Sequence, residues 1–173
     1  VLMKFDYWTQ PIGWVMALLV VAGSVAAVLV LLGRVGASRQ VPGKISHLRY
    51  FPDLHILATR VRLEQGWPGH QAGQFAFVNV IGSSERAHPY TMASSWDPQQ
   101  REILFVTKAL GDHTSTLHEV LKPGMPVTVE GPYGRFTFNG GRGRQIWIGA
   151  GIGITPFIAR MQQMQQETGV QHE

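Results

Sequence analysis

Eight consecutive residues carry the densest chemistry in the chain: His88, Pro89, Tyr90, Thr91, Met92, Ala93, Ser94 and Ser95. They leave a polar loop, Ser83 to Arg86, and enter a strand-like segment. Pro89 fixes a backbone turn, Tyr90 offers an aromatic face with a polar tip, and Thr91, Ser94 and Ser95 supply hydroxyls. A planar ligand with an anionic tail needs such a set: a ring to lie on, a hydroxyl for a ring nitrogen, and donors for phosphate. The same residues also read as a β-strand whose Tyr90 packs in the core and whose Ser and Thr side chains face water. The elements that position them decide between the two.

Composition narrows the field first. A length of 173 residues bounds the chain to one or two small domains. It begins with Val1 rather than Met, so a piece of something longer is expected. Cysteine is absent, which removes disulfides, thiolate zinc sites and Cys-ligated iron–sulfur clusters. His47, His55, His70, His113, His118 and His172 show no ligand spacing, so no metal site is expected. The net charge of +4 is unevenly placed, with Arg34, Arg39, Lys44, Arg49, Arg60 and Arg62 set against Asp53 alone in that stretch. No basic run with interleaved aromatics suggests a nucleic-acid face, so no nucleic-acid partner is expected.

From Pro11 to Gly33 no residue is charged, and Ser24 is the only polar side chain. As a helix that stretch is about 34 Å long, enough for the roughly 30 Å hydrocarbon core of a bilayer. Tyr7, Trp8 and Trp14 stand at its front edge, and Arg34, Arg39 and Lys44 follow its back edge, against Lys4 and Asp6 before it. The positive-inside bias places everything after Gly33 in the cytoplasm. A signal peptide would have a shorter apolar core, and a buried soluble helix would rarely stay uncharged for so long. The span has no histidine to ligate haem, and a small-residue patch at Gly23-Ser24 and Ala26-Ala27 suits close approach of other helices.

Beyond a linker the pattern alternates. Leu57, Thr59, Val61 and Leu63 share one face, opposite Ile56, Ala58, Arg60 and Arg62. Strands are expected at Gly73 to Val78, Tyr90 to Ser95, Glu102 to Lys108 and Pro126 to Glu130, spaced as in an all-β barrel. One helix interrupts them at Ser115 to Leu121, with Thr114 or Ser115 as its N-cap and Pro123-Gly124 as its stop. Its start, preceded by Gly111, suits an anion, although an ordinary capped helix covering a barrel end reads the same way. After Gly131-Pro132-Tyr133-Gly134 and a Gly/Arg loop (Asn139 to Arg144), a short strand at Ile146 to Ile148 runs into Gly149-Ala150-Gly151-Ile152-Gly153-Ile154-Thr155-Pro156. Thr155 fits a helix cap and Pro156 the first helical position, so the order is strand, glycine turn, helix, the context of a diphosphate cradle.

The order of these motifs (HPYT, a lysine strand, GDHTSTL, GPYG, GAGIGITPF) resembles the ferric reductase/NADPH oxidase family, within the wider ferredoxin–NADP reductase superfamily. The resemblance covers roughly residues 43–168. It implies a mainly β chain: an N-terminal transmembrane helix, a Greek-key FAD-binding β-barrel with one short helix, then the start of an α/β nucleotide-binding domain. The implied boundaries are 1–33 for the helix with its flank, 34–43 for the linker, 44–142 for the barrel and 143–173 for an incomplete NAD(P)-binding domain.

By the same resemblance Tyr90 stacks on the flavin ring and Thr91 bonds its N5 edge, the catalytic pair. His88, in the place of an arginine in the soluble reductases, helps hold the FAD phosphates, with Pro89 shaping the turn. Val106, Thr107 and Lys108 line the adenosine side, and Gly111, Thr114 and Ser115 take the pyrophosphate. Gly149, Gly151, Gly153, Thr155 and Pro156 form the NAD(P)H loop. The implied function is a membrane flavoprotein oxidoreductase passing electrons from NAD(P)H through FAD toward transmembrane haem, and then to ferric ion or oxygen. The implied partners are the lipid bilayer, NAD(P)H and haem-bearing helices outside this chain, with the flavin domain cytoplasmic. With one strand and one helix of the nucleotide domain present, the chain alone is expected to bind FAD but to turn over NADPH poorly. A membrane-tethered FAD-binding module, or a single-span reductase for a soluble partner, are the alternatives.

Overall fold

The computed structural model describes residues 10–83, 85–138 and 145–169, apart from the side chains of Asp112 and His113. The flanking residues Lys4, Asp6, Tyr7 and Trp8 and the boundary loop 139–144 lie outside the described residues. The chain divides into two units, with the break after Ser38.

The first unit is one helix, α1 (Pro11–Leu31), with Pro11 at its first position. Its mean hydropathy reaches 2.6, and it is long and apolar enough to cross a membrane. It ends as the sequence dictates. The Gly33 amide bonds the Val30 carbonyl and the Arg34 amide bonds Leu29, which satisfies carbonyls the last turn would leave open.

The second unit is built on six strands: β1 (Gln40–Phe51), β2 (Ile56–Leu63), β3 (Phe75–Val80), β4 (His88–Thr91), β5 (Glu102–Lys108) and β6 (Pro126–Tyr133). They form one antiparallel sheet in the order β4-β3-β6-β1-β2-β5. A bridge between Met92 and Phe105 and the Ala93 amide to the Leu104 carbonyl (2.7 Å) join its two ends, so the sheet closes into a barrel. Alternation along each strand sends Val41, Ile45, Val61, Met92, Ile103, Phe105, Val127 and Val129 inward. Two further helices follow the strands: α2 (Asp112–Val120) between β5 and β6, and α3 (Thr155–Gly169) after a 3-10 turn at Gly151–Ile154.

The fold class is as expected, and four details differ. β1 was not expected as a strand, and it begins at Gln40, within the stretch read as linker. Pro42 and Gly43 look like linker residues, yet both pair with β6, and Gly43 is where β2 comes closest: an added Cβ would lie 2.7 Å from the Arg62 carbonyl. β4 is shorter than Tyr90 to Ser95 because Ser94 leaves the ladder; its hydroxyl accepts the Leu104 amide at 3.0 Å. α2 starts three residues early, with Gly111 as N-cap rather than Thr114 or Ser115. Finally, residues 145–150 form no strand: Ile146 and Ile148 are 90% and 88% exposed, with no ladder partner among the described residues.

Candidate functional site

β4 is where the barrel meets the candidate chemistry. Its pairing with β3 sets Tyr90 opposite Ala76 and His88 opposite Val78. Tyr90 turns inward, its ring 6.2 Å from that of Phe105 at 60°. Burial pushes its phenol up from the ordinary value, so the hydroxyl stays protonated at physiological pH. By alternation Pro89 and Thr91 face the other way, on the outside of the barrel.

Between β4 and α2 lies a cavity of about 510 Å³, whose wall includes His88, Tyr90, Thr107, Thr116 and Leu117. That volume falls in the range of about 300–1,000 Å³ common to small-molecule sites. β5 supplies Thr107, whose hydroxyl bonds the Leu57 carbonyl at 3.3 Å, while Val106 and Lys108 alternate onto the outer face. α2 closes the cavity with Leu117 and Leu121, and a stack of Tyr50 on His118 at 4.1 Å ties it to β1.

The start of α2 is organised by Thr114. Its hydroxyl oxygen accepts from the Leu110 amide at 3.0 Å and the Gly111 amide at 3.2 Å, and its proton goes to the Gly111 carbonyl. Its side chain therefore shapes the turn, and Ser115 sits exposed beside it on the first turn of the helix. An added Cβ at Gly111 would meet nothing within 4 Å, so the backbone there is open to approach.

The glycine turn is a separate feature beside β5, and a bond from the Ser95 amide to Gln162 Oε1 (3.4 Å) ties α3 to the end of β4. Thr155 is buried, with its hydroxyl bonded to the Ile152 carbonyl; it is the first residue of α3 rather than a cap before it. Pro156 is therefore the second. Gly151 holds a left-handed φ of 54° and has open space around it, as has Gly153, whereas the Phe157 ring occupies the space a Cβ at Gly149 would need.

Of the residues singled out from sequence, the structure brings His88, Tyr90 and Thr107 into one wall. Pro89, Thr91, Val106 and Lys108 lie on the outer face, and the α2 and glycine-turn groups lie elsewhere. Sequence reasoning missed Asn79, Glu85, Arg86 and Thr116 in the same cavity. Arg86 had a legible signal, standing two residues before His88 in an extended run. Asn79 had none; its Oδ1 is buried without a hydrogen-bond partner in the described structure.

A six-stranded antiparallel barrel, with a helix over one end and a ligand-sized cavity beneath that helix, has the form of a ligand-binding barrel. The sequence profile of the FAD-binding domain family matches residues 43–137, more than half of the chain, and the chain belongs to that family. It is 33% identical over 90 residues to ferric reduction oxidase 3, mitochondrial, of Arabidopsis thaliana, a match covering 48% of this chain and 13% of that protein. It is 32% identical over 103 residues to the ferredoxin–NAD(+) reductase component of the alkene monooxygenase system of Xanthobacter autotrophicus, covering 58% of this chain and 31% of that one. The chain thus spans less than a third of these curated relatives. Among solved structures, the ferredoxin reductase in carbazole 1,9a-dioxygenase shares the fold at a TM-score of 0.63 and 24% identity, over 75% of this chain and 40% of that one. Residues 43–137 are accordingly an FAD-binding domain of that family. The cavity fits part of such a group: one wall holds an aromatic ring, Tyr90, and a permanent cation, Arg86.

Proposed function

We propose that this chain is the flavin-holding part of a membrane oxidoreductase of ferric reductase type. It takes electrons from NAD(P)H and passes them toward haem held between membrane helices, and then to ferric ion or oxygen. The observation that carries this reading is the union, in one chain, of the apolar helix α1 with a barrel bearing His-Pro-Tyr-Thr on β4. Arg34, Arg39 and Lys44 after α1 favour a cytoplasmic barrel, and the likeness to a ferric reduction oxidase supports the acceptor. α1 carries no histidine, so haem would belong to other helices.

FAD, when bound, supplies the conversion of a hydride into single electrons. The chain's own residues bind and orient it. Tyr90 gives the flavin ring an aromatic face in the cavity wall. Thr107, in the same wall, serves the adenosine side. Gly111, Ser115 and the turn held by Thr114 present amides to the pyrophosphate at the positive end of α2. Gly149, Gly151, Gly153, Thr155 and Pro156 form the start of an NAD(P)H site in a domain beginning near residue 143. No general acid or base is required.

A visible spectrum of the protein purified from its native membrane tests the reading. Flavin bands together with a haem Soret band support it. Flavin without haem favours instead a reductase for a soluble partner, the reading suggested by the alkene monooxygenase relative. Absence of flavin sinks both.

A further inference from the structure

We infer that Arg86, rather than His88, supplies the fixed positive charge that holds the phosphates of the dinucleotide in the cavity beneath α2; this rests on FAD being its ligand. A pyrophosphate carries two negative charges at neutral pH and needs a cation that keeps its own. The charged and titratable side chains in the cavity wall are Glu85, Arg86, His88 and Tyr90. Tyr90 is neutral, its phenol pushed up by burial. His88 Nε2 stands 3.6 Å from the Glu85 carboxylate, so the imidazole already faces an acid within the wall. Lys108 is on the outer face of β5 and is not part of this wall. Arg86 remains. It is exposed in the loop between β3 and β4, lines the cavity, and makes no ion pair among the described residues.

The chemistry suits the task. A guanidinium keeps its charge across the physiological range and offers two parallel N–H donors to phosphate oxygens, which an imidazole cannot do. Glu85 would oppose an anion if left alone, but His88 beside it takes up that carboxylate. Arg86 thus faces the phosphates, and the Glu85–His88 pair steadies the loop that carries it.

The test is a titration of the full chain in detergent with FAD and with riboflavin, which has no phosphate, followed by flavin fluorescence. Arg86→Gln is expected to weaken FAD about ten- to a hundredfold, the loss of a charge-assisted bond pair, and to leave riboflavin unchanged. Arg86→Lys is expected to recover part of the loss. FAD affinity of the wild-type chain should stay level between about pH 6 and pH 8, because the guanidinium does not titrate there.

Wild-type FAD affinity in Arg86→Gln overturns the inference. So does an equal loss for both ligands, which marks a damaged pocket rather than a lost phosphate contact. FAD affinity that falls with rising pH in the wild type and becomes level in His88→Gln transfers the role to His88. If the wild-type chain binds riboflavin but not FAD, or neither, the reading of the cavity itself falls, and this inference with it.

Discussion

At Tyr90 one ring serves two ends. Its contact with Phe105 anchors it to the core, and its position in the cavity wall leaves a face for a ligand. Tyr90→Ala should therefore cost stability, about 1–3 kcal/mol for a half-buried ring, and should weaken FAD as well; Tyr90→Phe keeps the face and should retain FAD. Urea unfolding and FAD titration of the two variants separate the effects, and a Tyr90→Phe variant that loses FAD would show that the hydroxyl, not the face, matters. A second residue, His70, assigned no chemistry from its spacing, proves to be structural. Its Nε2 donates to the Ser94 carbonyl at 2.9 Å, which leaves Nδ1 to accept the Trp67 indole N–H at 3.4 Å. Burial pushes its imidazole down, against the smaller upward pull of the Ser94 carbonyl. The folded chain then binds this proton less readily than the unfolded chain. Stability is full above the ordinary imidazole value of 6.5 and falls as pH drops below it, until the folded ring also takes a proton. Melting temperature should fall on acidification below that point, by up to about 1.4 kcal/mol of stability per pH unit from this one group. His70→Gln should remove that part of the slope, and an unchanged slope would clear His70 of the effect.

At the scale of elements, the start of α2 depends on a single side chain three residues inside it. Thr114 gathers two amides and one carbonyl, so Thr114→Ala should cost about 1 kcal/mol, as loss of a helix cap does, while Thr114→Ser should keep most of it. Chemical denaturation of the three chains measures this directly, and equal midpoints would contradict it. The sequence shows a helix here because Leu117, Val120 and Leu121 recur at helical spacing. It does not show where the helix begins, because a glycine N-cap has no side chain to announce itself. The same limit hid β1. Its alternation is broken by a register shift between Ile45 and His47, and Pro42 and Gly43 carry the signature of a linker. Only the partners explain them, since Gly43 must admit the β2 backbone and Pro42 accepts the Glu64 amide through its carbonyl. β4 was legible only in part: a strand was expected at Tyr90 to Ser95, but the ladder runs from His88 to Thr91, because the Ser94 hydroxyl takes the Leu104 amide instead. Which of its residues face inward was not legible, since that follows from a register with β3 that the sequence does not state.

Across the molecule, the closed barrel accounts for its own edges. The Met92–Phe105 bridge and the Ala93 amide on the Leu104 carbonyl draw the β4 and β5 ends of the sheet together, which shortens the edge open to pairing with other chains. The segment 145–150 has no such protection. Its run Ile146-Trp147-Ile148 is as apolar as a buried strand, yet strand formation needs a neighbour to complete the ladder, and none is present among the described residues. Trp147 stacks on Phe157 at 5.6 Å and 7°, which pins the segment to α3, while Ile146 and Ile148 point into solvent on either side of it. Side chains that are already exposed add nothing to folding stability, and a contiguous apolar surface favours association. The double variant Ile146→Ser, Ile148→Ser should therefore leave the unfolding free energy within about 0.5 kcal/mol of the wild type and reduce self-association of the chain in detergent. Sedimentation and urea unfolding read the two quantities independently. A loss of several kcal/mol would mean that both isoleucines are buried in the folded protein and that residues 145–150 belong to a sheet after all. An unchanged midpoint with less association would leave the segment unpaired, held by Trp147 against Phe157 and Phe138 and by the Gln145 side-chain amide on the Phe138 carbonyl.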